Sequence, residues 1–377
     1  REERLIFNMK YIFTFSFLSV FAFAQDFDAG IVKTNEVTFA VNSYSSGYNI
    51  PWGMTFLPNG EMLVSDISGK LFRVFNNGKQ KKEILGVPEV LFKRQGGLLD
   101  VEIHPDYKKN NLVYIAYSHQ IGKKSFTRIA RGALKEDRLV DFKIIFTADE
   151  KDYTSRAIHF GSRIIFYDNH IYFAIGDSFE RDEAQDLNTP NGKIHRLTYD
   201  GDIPNDNPFT NSDGSKSSIW TYGNRNPQGL AVTKDGIIWE TEHGPRGGDE
   251  LNIIRKGINY GWPKITYGIN YIGTKITDYT EMEGMEQPIW HWTPSIAVCG
   301  MAIYEHSLFD KWNGNILVTS LKDEYLERII VKNGKYIARE SIYNPGSRVR
   351  DVEVGPQGKI YVALEDPGRI VVLTPAD

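Results

Sequence analysis

Apolar residues along this chain recur at alternate positions in short runs, and the runs come in pairs joined by turns. The clearest pair is PWGMTFLPNGEMLVSD at residues 51–66. Weaker echoes follow in Val101-Glu102-Ile103 with Val113-Tyr114-Ile115, and in Ile164-Ile165-Phe166 with Ile171-Tyr172-Phe173. Three more are Leu230-Ala231-Val232 with Ile237-Ile238-Trp239, Met301-Ala302-Ile303 with Ile316-Leu317-Val318, and Val352-Glu353-Val354 with Ile360-Tyr361-Val362. Period-two alternation rich in Val, Ile and aromatics, punctuated by Pro58-Asn59-Gly60, Lys234-Asp235-Gly236 and Pro356-Gln357-Gly358, predicts antiparallel hairpins.

Six recurrences predict an all-β fold, a six-bladed β-propeller with four-stranded antiparallel blades around a central channel. A two-sheet sandwich is the alternative, but six echoes at such long spacing are hard to obtain from it. The repeats start at Pro51, Leu98, Gly161, Pro227, Cys299 and Val349, farthest apart in the middle of the chain. Insertions on repeats usually build the binding face. With no Pro/Ser linker or charge block to divide it, the chain reads as one propeller domain over residues 25–377.

Residues 1–24 read as an N-terminal extension and signal peptide. Lys10 precedes an apolar stretch over residues 11–24, and Ala22-Phe23-Ala24 supplies small residues before Gln25. The stretch is short for a membrane span, so an uncleaved anchor is the weaker alternative. Residues 1–8 precede Met9 and read as an upstream extension. No Cys follows the cleavage site, which disfavours a lipid anchor. These features predict a periplasmic or secreted protein with no stable membrane insertion after cleavage. A formal net charge of −4 provides no basic field for nucleic acid. Cys299 is the one cysteine, so an intrachain disulfide and a Cys/His metal cluster are both excluded. Its place at the start of a strand pattern fits a small buried residue.

Three polar stretches break the strand pattern: residues 158–163 (IHFGSR), 222–229 (YGNRNPQG) and 242–250 (EHGPRGGDE). Loops at equivalent points of successive blades converge at one end of the channel, so separate blades can share a site. His159 alone would more often be a surface or packing residue. Its position two residues before Gly161, beside blades presenting Arg225 and Arg348, makes it a candidate base, because a cationic pocket lowers the pKa of a neutral imidazole. Arg348 and Arg350, two apart in an extended segment, face the same way. They suit an anion, or else form an outward charged face paired with Asp351. With Arg225 and Lys322 they could build a basic pocket for a ligand with several carboxylates. Residues 240–250 combine carboxylates with Gly and Pro, which suits calcium as well as it suits a solvated loop.

The phrases PWGMTFLPNGEMLV, RQGGLLDVEIHPDY, HFGSR, AQDLNTPNGKIHRL, YGNRNPQGL, EHGPRGGDELNII, NYGWP and SRVRDVEVGPQGKIYV occur in this order. Together they resemble the soluble aldose sugar dehydrogenases of the glucose/sorbosone dehydrogenase family, from about Pro51 to Leu373. That resemblance implies a six-bladed propeller that uses pyrroloquinoline quinone (PQQ) and calcium to oxidise aldose sugars at C1 to the lactone, passing electrons to an external acceptor. It implies His159 as general base and Arg225 as the residue polarising the quinone oxygen. Asn226, Lys322, Arg348 and Arg350 would hold the cofactor, with Gln95 near the sugar and the base. Gly244 and Pro245 would offer main-chain oxygens to the cofactor's calcium, and Glu250 and Tyr260 resemble ligands of a second, structural calcium. Tyr271 resembles a cofactor-contacting tyrosine. Ile158 stands where one branch carries an acid before the histidine, leaving the partner that orients the base open. Ser178 occupies a position that can touch substrate. Two other functions compete: a calcium-dependent propeller lactonase or hydrolase, and a sugar-binding propeller without catalysis.

Overall fold

The computed structural model describes residues 30–376, so the expected signal peptide lies outside the described residues. Each hairpin read from the sequence is the inner pair of strands of one blade. Blades 1 to 5 cover residues 51–84, 98–146, 164–222, 227–292 and 298–343, each a four-stranded antiparallel sheet. The innermost strands, Pro51–Phe56, Leu98–Ile103, Ile164–Tyr167, Pro227–Val232, Val298–Tyr304 and Val349–Val354, pack in sequence around the axis and close on one another. The single α-helix among the described residues is the short Tyr107–Asn110, and none of their helices is long and apolar enough to cross a membrane.

Blade 6 joins the two ends of the chain. From the axis outward it runs Val349–Val354, Ile360–Leu364, Gly368–Pro375, Thr38–Tyr48 and Ile31–Lys33. It therefore has a fifth strand beyond the four expected. Thr38–Tyr48 pairs antiparallel with Gly368–Pro375 from Phe39 opposite Pro375 to Tyr48 opposite Gly368. This pairing closes the ring and satisfies strand edges that would otherwise stay open.

Burial explains the sequence pattern. Inner strands such as Met62–Asp66 and Ile360–Leu364 are buried at every position, because each blade face packs on a neighbouring blade. Outer strands such as Gln80–Ile84 are mostly solvated, so they carry little hydrophobic signal. Between blades 5 and 6, Phe39, Val41 and Leu373 pack with Tyr304, Phe309 and Trp312, and the last two rings stack at 4.8 Å.

One charged side chain braces the axis. Arg163 of the loop entering blade 3 bonds through Nη1 to Asp100 at 3.0 Å and Asp351 at 3.1 Å. Its Nε donates to the Gln228 carbonyl at 3.0 Å, and its guanidinium lies 4.5 Å from the centre of the Trp52 ring. The free oxygens of the two carboxylates accept main-chain N–H groups of Ile164 at 2.7 Å and Met54 at 3.1 Å. Blades 1, 2, 3, 4 and 6 thus meet at one guanidinium. Gly300 leaves room for this cluster from blade 5, since a Cβ there would lie 2.2 Å from Asp351 Oδ1.

Leu373→Ala removes a fully buried side chain from the closing blade. It is expected to cost about 2–5 kcal/mol of stability, read as a lowered midpoint in urea unfolding followed by circular dichroism.

Candidate active site

The loop at residues 157–162 carries left-handed backbone at Ala157, His159, Gly161 and Ser162, so it turns back on itself instead of extending the inner strand. Gly176 allows the close approach that results: a Cβ there would lie 2.1 Å from the His159 carbonyl oxygen. The turn buries the imidazole beside Asp177, with His159 Nδ1 2.6 Å from Asp177 Oδ1. A carboxylate can only accept, so Nδ1 carries the proton and Nε2 keeps its lone pair. Asp177 is held in turn by Trp262 Nε1 at 2.9 Å on Oδ2 and by the Phe179 N–H at 2.8 Å on Oδ1.

The electrostatics fit a neutral base next to an ionised acid. Burial, then the Arg225 charge, lower the His159 pKa below its ordinary value against the opposing pull of Asp177. Burial raises Asp177, but the His159 hydrogen bond and charge, with Arg225 and the Phe179 N–H, outweigh it and leave this carboxyl below the usual range.

Arg225 lies over Trp262, 5.2 Å from the ring centre, and its Nη1 donates to the carbonyls of His243 at 2.9 Å and Gly244 at 2.8 Å. Its Nε and Nη2 are buried with no protein partner, which is costly unless a ligand uses them. His243 Nε2 is likewise buried without a partner, and burial followed by the charges of Arg225, His159 and Arg350 pushes this imidazole down to about 3. Glu242 fixes the Arg225 loop by accepting the main-chain N–H groups of Arg225 and Asn226. Burial pushes this carboxyl up to about 7, despite those hydrogen bonds.

Of these groups His243 lines an axial cavity of about 310 Å³, together with Trp52, Gln95, Asn226, Arg348 and Arg350, whereas His159 and Arg225 are next in sequence to the lining residues Phe160 and Asn226. A larger groove of about 510 Å³ between blades 2 and 3 contains one histidine, His195, whose two ring nitrogens already bond Ser218 and the Pro190 carbonyl. Of the two, the axial cavity is the one whose lining adjoins in sequence both His159 and the unpartnered donors of Arg225.

The expected site residues separate into two groups. Gln95 accepts the His159 N–H at 2.7 Å, and Asn226 accepts the Gly161 N–H at 3.1 Å. Arg348 and Arg350 line the cavity, but their partner is Glu365, not Asp351; alternation along the strand sends Asp351 to Arg163. Lys322 stands apart from the lining, with a 58% exposed side chain that reaches Asp323 and the Ser295 carbonyl. Tyr271 is 62% exposed on a surface loop.

Around Gly244 a Cβ would lie 2.1 Å from the Gly248 carbonyl oxygen and 2.4 Å from that of Gly247, so main-chain oxygens crowd this turn. Glu250 lies opposite Glu242 across adjacent strands, with Glu240 opposite Asn252. Asn252 donates to Glu240 at 3.0 Å and Glu250 at 3.3 Å. Glu240 Oε1 and Asn252 Oδ1 are buried without partners, and burial followed by the Glu242 charge pushes Glu240 and Glu250 well above the usual range. The Tyr260 hydroxyl is engaged elsewhere, donating to the Ile253 carbonyl and accepting the Arg255 N–H. Among the described residues, no three His, Cys, Asp or Glu side chains stand in metal-holding geometry.

Sequence reasoning did not find Asp177, Trp262, His243 or Glu365 as partners in the site. The phrases NYGWP and EHGPRGGDE contained two of them, but their contacts arise between blades.

Comparison with known proteins identifies the family. The glucose/sorbosone dehydrogenase family model matches residues 48–372, and the chain belongs to that family. It is 39% identical over 337 residues to the aldose sugar dehydrogenase YliI of Escherichia coli K12, covering 86% of this chain and 90% of that one. The crystal structure of the soluble E. coli aldose sugar dehydrogenase in its apo form superposes with a TM-score of 0.85 at 36% identity, covering 90% of this chain and all of the other. The PQQ-bound aldose sugar dehydrogenase of Streptomyces coelicolor has a TM-score of 0.73 at 28% identity, covering 90% and 98%. The protein is thus an oxidoreductase on a six-bladed propeller.

The His159 imidazole is expected to titrate below pH 6.5 in an NMR titration. Because Asp177 raises its pKa, Asp177→Asn should move that midpoint lower still; an upward movement would contradict the electrostatics described.

Proposed function

We propose that this protein oxidises aldose sugars at C1 to the lactone, using PQQ and calcium, and passes the electrons to an external acceptor. The observation that carries this reading is a neutral His159 and an Arg225 whose buried Nε and Nη2 lack protein partners, both next in sequence to residues that line one axial cavity. A tricarboxylate quinone fits the donors present: Arg225 for a quinone oxygen, with Asn226, Arg348 and Arg350 toward the rest of the molecule. Lys322 and Tyr271 would join only by moving in from the rim. When bound, the quinone supplies the acceptor for the C1 hydrogen with its electron pair.

The protein's own groups do the remainder. His159 Nε2 takes the proton of the C1 hydroxyl, while Asp177 keeps Nδ1 protonated and stabilises the imidazolium that forms. Trp262 holds Asp177 from behind and carries Arg225 on its ring face, so base and electrophile share one support. Gln95, tied to the His159 main chain, borders the space left for the sugar. The main-chain oxygens at Gly244 and Pro245 suit a calcium beside the cofactor. For a second calcium, the unpartnered acceptors of Glu240 and Asn252 beside Glu250 suit a hard cation, with Tyr260 contributing through its main chain instead of its hydroxyl. Neither a haem-attachment motif nor a second cysteine is present, so the electrons leave to a separate carrier. The apolar run ending at Ala24 supports a periplasmic or secreted location.

The test is reconstitution of the chain from Gln25 with PQQ and calcium, following dye reduction with a panel of aldoses. Activity should require sugar, quinone and calcium together, and His159→Ala should lower kcat at least ~100-fold while leaving quinone binding in place. Turnover with calcium alone would favour a hydrolase, and a full rate in His159→Ala would remove the base.

A further inference from the structure

We propose that Glu365 is a displaceable carboxylate that holds Arg348 and Arg350 ready for an anionic ligand and, by competing with that ligand, limits how tightly it binds. This rests on the preceding reading in taking the ligand to be a tricarboxylate. Glu365 follows the strand Ile360–Leu364 and is pinned by its own N–H, which donates to the Arg348 carbonyl at 3.0 Å. Its side chain is 8% exposed and spans both arginines. Arg348 Nε lies 2.9 Å from Oε2, while Arg350 directs both Nε, at 2.7 Å, and Nη2 to Oε1.

The face of the Arg350 guanidinium that recognises carboxylates is therefore already occupied. Its remaining Nη1 contacts Cys299 Sγ at 3.3 Å. The contrast with Arg225 is direct, because both guanidiniums are buried but only Arg225 has donors without a protein partner. Arg348, Arg350 and Glu365 line the same cavity, so a carboxylate entering there meets its own chemical likeness on the fork it needs. It must take over that fork from Glu365 or lie beside it, and two carboxylates in a buried space repel. Without ligand, Glu365 spares the cavity an uncompensated buried guanidinium at Arg350, whose burial alone is costly.

The experiment titrates PQQ, without sugar, into wild-type protein, Glu365→Gln and Glu365→Ala, reading tryptophan fluorescence, with circular dichroism to establish folding. Both variants should bind at least about tenfold more tightly than wild type. Unchanged or weaker binding by folded variants overturns the proposal, since a merely structural Glu365 predicts loss. Citrate, a second tricarboxylate, is followed in parallel by thermal shift and should stabilise the variants more than wild type. If no protein binds PQQ while citrate still favours the variants, the competing carboxylate stands and the quinone reading falls. If neither ligand distinguishes the proteins, the proposal falls. Should both variants fail to fold, Glu365→Asp replaces them: its carboxylate is drawn back by one methylene, and it should still bind more tightly than wild type.

Discussion

The arrangement depends on keeping one positive charge out of water at the axis. Arg163 is buried, as are Asp100 and Asp351, and an uncompensated charge there would cost several kcal/mol. Two carboxylates, a carbonyl and an aromatic face compensate it, drawn from blades that adjoin only around the axis. Trp52 makes the connection with function. It carries Arg163 on its ring, lies 5.9 Å from the Arg350 guanidinium, and itself lines the cavity. The floor of the site is thus the same set of contacts that sets the blades in register.

Much of the fold was legible because inner strands of a propeller are buried on both faces, so Val, Ile, Leu and aromatics recur along them at the strand period. Outer strands are not under that constraint, and Ile31–Lys33 joins blade 6 with two of its three residues exposed, so nothing in its pattern separated it from loop. The site was legible where a loop phrase was long and polar, as with His159, Arg225 and Asn226. It was illegible where partners sit on different strands. The acid beside His159 was sought just before it in sequence, but Asp177 reaches it from the far end of the next hairpin. Sequence alone does not separate the roles of Arg163 and Arg350. Burial with two aspartates makes Arg163 a brace, whereas Arg350 stands on the cavity wall paired with Glu365.

The same logic governs the acids of blade 4. Glu240, Glu242 and Glu250 lie close together on adjacent strands. Glu242 has main-chain N–H donors, whereas Glu240 and Glu250 share one asparagine. Hydrogen bonding therefore separates a carboxylate that shapes the Arg225 loop from two that lack sufficient donors.

Pairing Thr38–Tyr48 with Gly368–Pro375 also bears on synthesis. Thr38–Tyr48 leaves the ribosome long before Gly368–Pro375, so its pairing across the ring waits until those residues have been made. A nascent chain can assemble blades 1 to 5 in turn, yet Thr38–Tyr48 keeps one open edge until residues 368–375 follow. Pairing of such long sequence separation is slow, so ring closure is a search between strands far apart in one chain, and loss of residues 368–375 would leave Thr38–Tyr48 and Ile360–Leu364 each open along one edge.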